Sequence, residues 1–242
     1  MSDSVLGYVE EFPIVQTFQF VSEKSDGLNS AQRLNEAKQL NVLNNNEHSA
    51  HCRACKERVR ELLTAIYGDC RVNHSFAWSA LPEDYMNTPI GDLLQQIRAA
   101  LGGLRGHRDF IKSAVVPPCD FYVSAPPFIL ELDESQHFSR PRLSALALYP
   151  ATLQWGFPVS HWKELCRRID ARDDTPIDRD ERRAWYDTLR DLVPPLHGFK
   201  PTVRLNAETY PWCSLDAAQS PDREQFNALL DNRLPPTGPG KE

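Results

Sequence analysis

Asp120, Glu131 and Asp133 are spaced as oxygen ligands for a divalent cation. Asp120 opens the apolar run Asp120-Phe121-Tyr122-Val123. Ser124-Ala125-Pro126-Pro127 interrupts it, and Phe128-Ile129-Leu130-Glu131-Leu132-Asp133-Glu134-Ser135-Gln136-His137 follows. Two apolar runs around a proline-rich break predict a β-hairpin. Side chains alternate along a strand, so Glu131 and Asp133 share one face, with Cα atoms about 6.8 Å apart, and Leu130 and Leu132 share the other. A turn centred on Ala125 to Pro127 sets Asp120 opposite the stretch from Glu131 to Asp133. Carboxylates converging in this way suit Mg²⁺ or Mn²⁺. A solvated acidic edge is the plain alternative, but acidic residues are depleted in strands and here two alternate within a strongly apolar one. His137, with a reference pKa near 6.5, has the chemistry of a general base or of an acid to a leaving oxygen. Gln136 adds an amide with two donors and an acceptor.

The elements that must position these residues read as follows. Val59, Leu62, Leu63, Ile66 and Tyr67 recur at helical spacing and predict a helix from about Cys55 to Tyr67, stopped by Gly68. Glu57 and Glu61 lie on it, either as a further carboxylate for the site or simply as good helix formers. Arg71 to Trp78 reads as a strand. Thr88-Pro89 reads as the cap and first residue of a second helix striped by Ile90, Leu93, Leu94, Ile97 and Leu101 and ended by Gly102-Gly103. Beyond the hairpin, Trp162, Leu165, Cys166 and Ile169 predict a helix after Ser160. Asp178 with Glu181 resembles a capping box opening a helix that ends near Val193, and Val203 to Leu205 is a late strand. The order predicts an α/β fold with a mixed central sheet flanked by helices. Residues 1–51 form an N-terminal arm, with Phe18 to Val21 as a short strand and Leu28 to Leu43 weakly helical. Residues 52–215 form the domain, and 216–242 a C-terminal tail whose last residues, from Pro235, are expected to be disordered.

The motif block resembles the PD-(D/E)XK, or restriction-endonuclease-like, nuclease superfamily. Pro118-Cys119-Asp120 is similar to its P-x-D first motif, and Glu131-Leu132-Asp133 falls where (D/E)-x-K is expected. The closer likeness is to the branch of very-short-patch-repair-like small endonucleases, in which D-F-Y is followed by E-[IV]-D-G-x-x-H. Asp120-Phe121-Tyr122 and Glu131 to His137 match that pattern, with Asp133 at the superfamily's lysine position and Glu134 at the branch's glycine. A weaker likeness runs through Arg179 to Tyr186 and Gly198 to Leu205, which makes about 141–178 an insertion after the hairpin. The resemblance implies a restriction-endonuclease-like core and metal-dependent hydrolysis of DNA phosphodiester bonds, in restriction, repair or phage defence. It implies that Asp120 and Glu131 ligate Mg²⁺ or Mn²⁺ with the Leu132 carbonyl, that Asp133 binds metal or accepts a proton, and that Gln136 and His137 complete the catalytic set.

Composition bounds this reading. The 242 residues are 41% apolar and carry a net charge of −6, from 27 Lys and Arg against 33 Asp and Glu. That balance argues against non-specific wrapping of nucleic acid, though a local basic patch still holds phosphates. Arg105, His107, Arg108 and Lys112 before the hairpin, with Arg140 and Arg142 after it, are the candidates, or else an ordinary solvated face. No stretch approaches the ~20 apolar residues of a membrane helix, and the N-terminus lacks a signal-like core, so a cytoplasmic location is expected. No Walker A or G-x-S-x-G motif is present. Cys52 and Cys55, with Cys70 and His74, superficially resemble a zinc site. A helix between Cys55 and Cys70 would hold them about 20 Å apart, so only a site pairing Cys52 and Cys55 with distant residues, or plain buried thiols, remains. Two rival functions stay open: a catalytically silent nuclease-fold module binding nucleic acid or a protein partner, and a zinc-binding structural or regulatory protein. Homo-oligomerisation is likewise open.

Overall fold

The computed structural model describes residues 53–234. The expectations for residues 1–51, Cys52 and Pro235 to Glu242 lie outside them. The protein is α/β: a four-stranded mixed sheet in the order β1-β2-β3-β4, with six α-helices among the described residues. The elements are α1 (Arg53–Tyr67), β1 (Arg71–His74), α2 (Gly91–Leu104), β2 (Cys119–Ser124), β3 (Pro127–Asp133), α3 (Arg140–Ala147), α4 (Val159–Ile169), α5 (Arg179–Leu192), β4 (Val203–Asn206) and α6 (Ser220–Asp231).

The hairpin forms as its pattern predicts. β2 and β3 pair antiparallel with Phe121 opposite Leu130 and Val123 opposite Phe128. β3 also pairs parallel with β4, setting Glu131 beside Arg204 and Asp133 beside Asn206. With neighbours on both edges, β3 is buried from Phe128 to Asp133. Phe121, Val123, Phe128, Leu130 and Leu132 pack against Cys55, Val59, Leu62 and Leu63 of α1 and Phe226 and Leu230 of α6. On the opposite side Ile129 joins the core built by α2 to α5, around Ile97, Leu101, Leu165, Trp185 and Leu189. Glu131 and Asp133 therefore sit inside a sandwiched strand, where a carboxylate without partners costs several kcal/mol.

Several boundaries move, each for a local reason. β1 ends at His74 rather than Trp78. Asn73 adopts φ 49, and pairing stops where His74 meets Cys119 at the start of β2. Thr88 does not cap α2, since its hydroxyl donates to the Tyr85 carbonyl at 2.7 Å. The helix runs through Gly102 and Gly103 to Leu104, and the chain turns at Gly106 with φ 82. Asp178 is the N-cap residue of α5 but forms no side-chain cap bond, and Glu181 is taken up by Arg105 instead of reaching back to the cap. The segment 141–178, expected as an insertion, carries most of α3 and all of α4 and places Ala145, Leu146, Trp162 and Leu165 in the core. Residues 216–234, expected as tail, include α6, which buries Phe226 and Leu230. No helix among the described residues is long and apolar enough to cross a membrane.

Candidate active site at the open end of the hairpin

At its open end the hairpin replaces backbone pairing with carboxylates. The Leu132 amide donates to Asp120 Oδ2 at 3.0 Å, and the Asp120 amide donates to Glu131 Oε1 at 3.2 Å. The exchange satisfies both amides where the strands part, and it brings the two acids face to face. Burial, partly offset by Arg190 and reinforced by Asp120, pushes the Glu131 carboxyl up to about 7. Arg190 Nε lies 3.2 Å from Glu131 Oε2, but at an angle that leaves this buried N–H without a hydrogen-bond partner among the described residues.

Sequence reasoning missed Lys56. It projects from the first turns of α1 and places Nζ 3.0 Å from Asp120 Oδ1 and 4.0 Å from Glu134 Oε1. Burial works to lower its pKa, but Asp120 and then Glu134 and Glu131 outweigh that and hold the ammonium above its ordinary value. The available signal was helical: Lys56 stands three residues before Val59, on the flank of the buried stripe that lies on the hairpin. Gln136 Nε2 donates to Glu134 Oε2 at 3.0 Å, which draws Gln136 into the same rim. Glu57 and Glu61 are not part of it, for they pair with Arg60 and Arg58 on α1 itself.

The structure does not bring Asp133 into this group. Its Oδ1 accepts from Arg204 Nη1 at 2.7 Å and its Oδ2 from Trp162 Nε1 at 2.7 Å. Arg204, fully buried, also donates to Asp191 Oδ1 at 2.6 Å and to the Asp187 carbonyl at 3.1 Å. His137 likewise turns inward. Its Nδ1 lies 2.9 Å from Asp187 Oδ2 and 3.7 Å from Asp133 Oδ1. Burial opposes its protonation, yet Asp187 and Asp133 raise its pKa above the ordinary histidine value, while Asp187 itself is held well below the usual carboxylate range. Asp187 Oδ1 accepts from Arg190 at 2.9 Å, closing a buried lattice behind Glu131.

The predicted basic patch divides. Arg142 is buried, donating to Asp191 Oδ2 at 2.6 Å and to the Tyr149 hydroxyl at 3.0 Å, so it cannot meet a phosphate. Arg105 is clamped by Glu181 and Asp174, and Lys112 pairs with Asp109 at 2.8 Å. Arg108 and Arg140 are exposed. Cys55 is buried on α1, whose length separates it from Cys70, so one zinc ion cannot join them.

Among the described residues no group of three or more His, Cys, Asp or Glu side chains is arranged to hold a metal ion. Mg²⁺, however, commonly takes one or two carboxylates and fills its octahedron with water and substrate oxygens. Asp120 and Glu131 meet that demand, and the raised pKa of Glu131 marks a desolvated acid pair that a cation would relieve. Asp133 does not meet it, since both its oxygens are committed. No family model, curated protein or solved structure matches this chain.

Proposed function

We propose that the chain is a metal-dependent endonuclease that hydrolyses DNA phosphodiester bonds at the open end of the β2–β3 hairpin. The observation that carries this is the Lys56 ammonium 3.0 Å from Asp120, beside Glu131 and Glu134. The superfamily that the motif block resembles places a lysine next to its acid pair. Here position 133 has lost it, and α1 supplies one from another element. The mixed α/β core with helices on both faces supports the same reading.

Asp120 and Glu131 would hold Mg²⁺ or Mn²⁺, which when bound lowers the pKa of a water and neutralises phosphate charge. The chain's own residues do the rest. Lys56, its side chain 41% exposed, stabilises negative charge on the attacking oxygen or the non-bridging phosphate oxygens. Arg190, from behind, keeps Glu131 oriented, and Gln136 with Glu134 forms the polar rim. His137 is a positioning group, tied to Asp187 and Asp133, rather than a base in contact with the rim.

The test is a cleavage assay of the full chain on plasmid and single-stranded DNA with Mg²⁺ or Mn²⁺. Cleavage should require the cation and disappear in Asp120→Ala. It should fall by about 10²- to 10³-fold in Lys56→Met, the range for losing one preorganised charge-stabilising donor. The second reading, a silent binding module, is favoured by the way the Asp120 and Glu131 oxygens already serve backbone amides. DNA binding without cleavage under either cation would select it.

A further inference from the structure

The β1 side of the sheet carries a set of rings that the chemistry above leaves unused. Tyr122 of β2 is stacked between His74 and Phe199, at centroid distances of 4.9 and 5.6 Å with interplanar angles of 20° and 18°. Trp78 is stacked between Phe76 and His197, at 4.1 and 5.0 Å with angles of 8° and 11°. The edge of Phe76 joins the two stacks, meeting Tyr122 at 5.0 Å and 83°. Below, Phe76, Tyr122 and Phe199 rest on the buried core, while their outer parts, with His74 and the exposed His197, reach solvent. The Arg71 guanidinium stands 5.7 Å from the Tyr122 ring centre and pairs loosely with Asp69 at 3.5 Å. The rings themselves come with two imidazoles and no carboxylate.

We propose that this platform binds single-stranded nucleic acid by stacking unpaired bases on His74 and His197, the rings that end the two stacks. The inference rests on the nuclease reading and specifies its substrate. Three features select the occupant. Flat, open-ended rings with an arginine and imidazoles suit bases and their phosphates, whereas aliphatic side chains of a protein partner are better served by pockets. A duplex buries its base faces between neighbours, so only an unpaired strand can use the rings. The location is also right: His74 pairs with Cys119, the residue before Asp120, and Tyr122 lies two residues beyond it on β2. A base on His74 therefore sets its own backbone near the open end of the hairpin.

The experiment measures binding by the full chain in EDTA, so that cleavage plays no part. Fluorescence anisotropy is read with labelled oligothymidylate, oligouridylate and a duplex of equal length. Either single strand should bind at least about tenfold tighter than the duplex, and the two arms identify the sugar. His197→Ala, which removes an exposed ring, and His74→Ala should each weaken single-strand binding by about 5- to 150-fold, the loss of one stacked base. His197→Trp should restore it, and the loss should persist at raised salt because stacking is not screened. Equal or tighter duplex binding, or unchanged affinity in both alanine variants, overturns the platform. Cleavage that survives with ring-independent binding removes the platform and leaves the nuclease. Ring-dependent binding by a chain that never cleaves does the reverse.

Discussion

Replacing Asp133 separates a structural carboxylate from a metal ligand. If Asp133 shared a cation with Asp120 and Glu131, its removal in metal-free buffer would relieve like-charge repulsion and leave stability level or higher. The structure gives the opposite expectation. Asp133 is 1% exposed and pairs with the fully buried Arg204 at 2.7 Å, with Asp191 on the same guanidinium at 2.6 Å. Asp133→Ala leaves that guanidinium short of a partner, and removing one member of a buried ion pair costs about 3–5 kcal/mol. The Trp162 indole N–H, bonded to Asp133 Oδ2 at 2.7 Å, loses its acceptor as well, which adds about 1 kcal/mol or more. Against a domain stability of about 5–15 kcal/mol this is a large fraction. With a urea slope of about 2 kcal/mol/M, the midpoint should fall by about 2–3 M. Asp133→Asn should fall between, because it keeps one oxygen for Arg204 but turns an amide NH₂ toward Trp162. Asp133→Lys, which would rebuild the commoner nuclease motif, sets an ammonium against Arg204 and should prevent folding. Urea denaturation followed by far-UV circular dichroism, without divalent ions, measures all three. A midpoint shift below about 0.5 M for Asp133→Ala would refute the anchoring role and return Asp133 to the metal site.

The other predictions are more local. Asp120→Ala should abolish cleavage and cost about 1–3 kcal/mol, because it leaves the Leu132 amide without its acceptor while the partly exposed pair with Lys56 adds little; a urea midpoint that collapses with activity would make its role structural. Trp162→Phe should cost about 1–2 kcal/mol, from one lost hydrogen bond to a buried carboxylate, and a neutral result would show that Arg204 alone holds Asp133. His137 supplies a pH dependence. Despite burial, Asp187 holds its pKa above the ordinary value, so its stabilisation is complete below about pH 6.5 and fades as pH rises through the higher folded value. The urea midpoint of the wild-type chain should therefore fall between pH 6 and 8.5. In His137→Gln this slope should flatten without vanishing, because the raised pKa of Glu131 gives a slope of the same sign. Equal slopes in the two proteins would remove the His137–Asp187 pair from the account.

What the sequence disclosed was local. Period-two alternation around the proline break specified the hairpin, and with it the meeting of Asp120 and Glu131, because antiparallel register over so short a turn leaves little freedom. Helical stripes gave α1, α2 and α4, and the polar start at Asp178 with the end near Val193 gave α5, because such spacings and end signals are local too. What it concealed depends on pairings far apart in the chain. Asp133 reads as a ligand until the parallel pairing of β3 with β4 brings Arg204 beside the hairpin. Arg142 reads as a surface cation until α5 delivers Asp191 to it. Glu181 reads as half of a capping box until Arg105 claims it. Lys56 escaped because one lysine on a helix flank has no distinguishing pattern before the helix is laid on the sheet.

The buried lattice explains why catalysis would be confined to one rim. Glu131, Asp133, Asp187 and Asp191 face Arg142, Arg190 and Arg204, and a protonated His137 brings the formal charges into balance. Burying so many charges is tolerable only because each has an opposite at short range, and every deletion strands a partner. These groups are thus committed to one another and to holding β3 and β4 against α5. Glu131 stands at the boundary, with Arg190 behind it and Asp120 in front. Beyond it Lys56, Asp120 and Glu134 have side chains 41%, 21% and 10% exposed. Their mutual contacts are therefore open to competition from water, phosphate or a cation in a way that Asp133–Arg204 is not. A ligand arriving at this end meets a lysine and two acids it can rearrange, mounted on a fourth group, Glu131, that it cannot easily move. That combination, adjustable in front and rigid behind, is what positioning a phosphodiester against a fixed carboxylate requires.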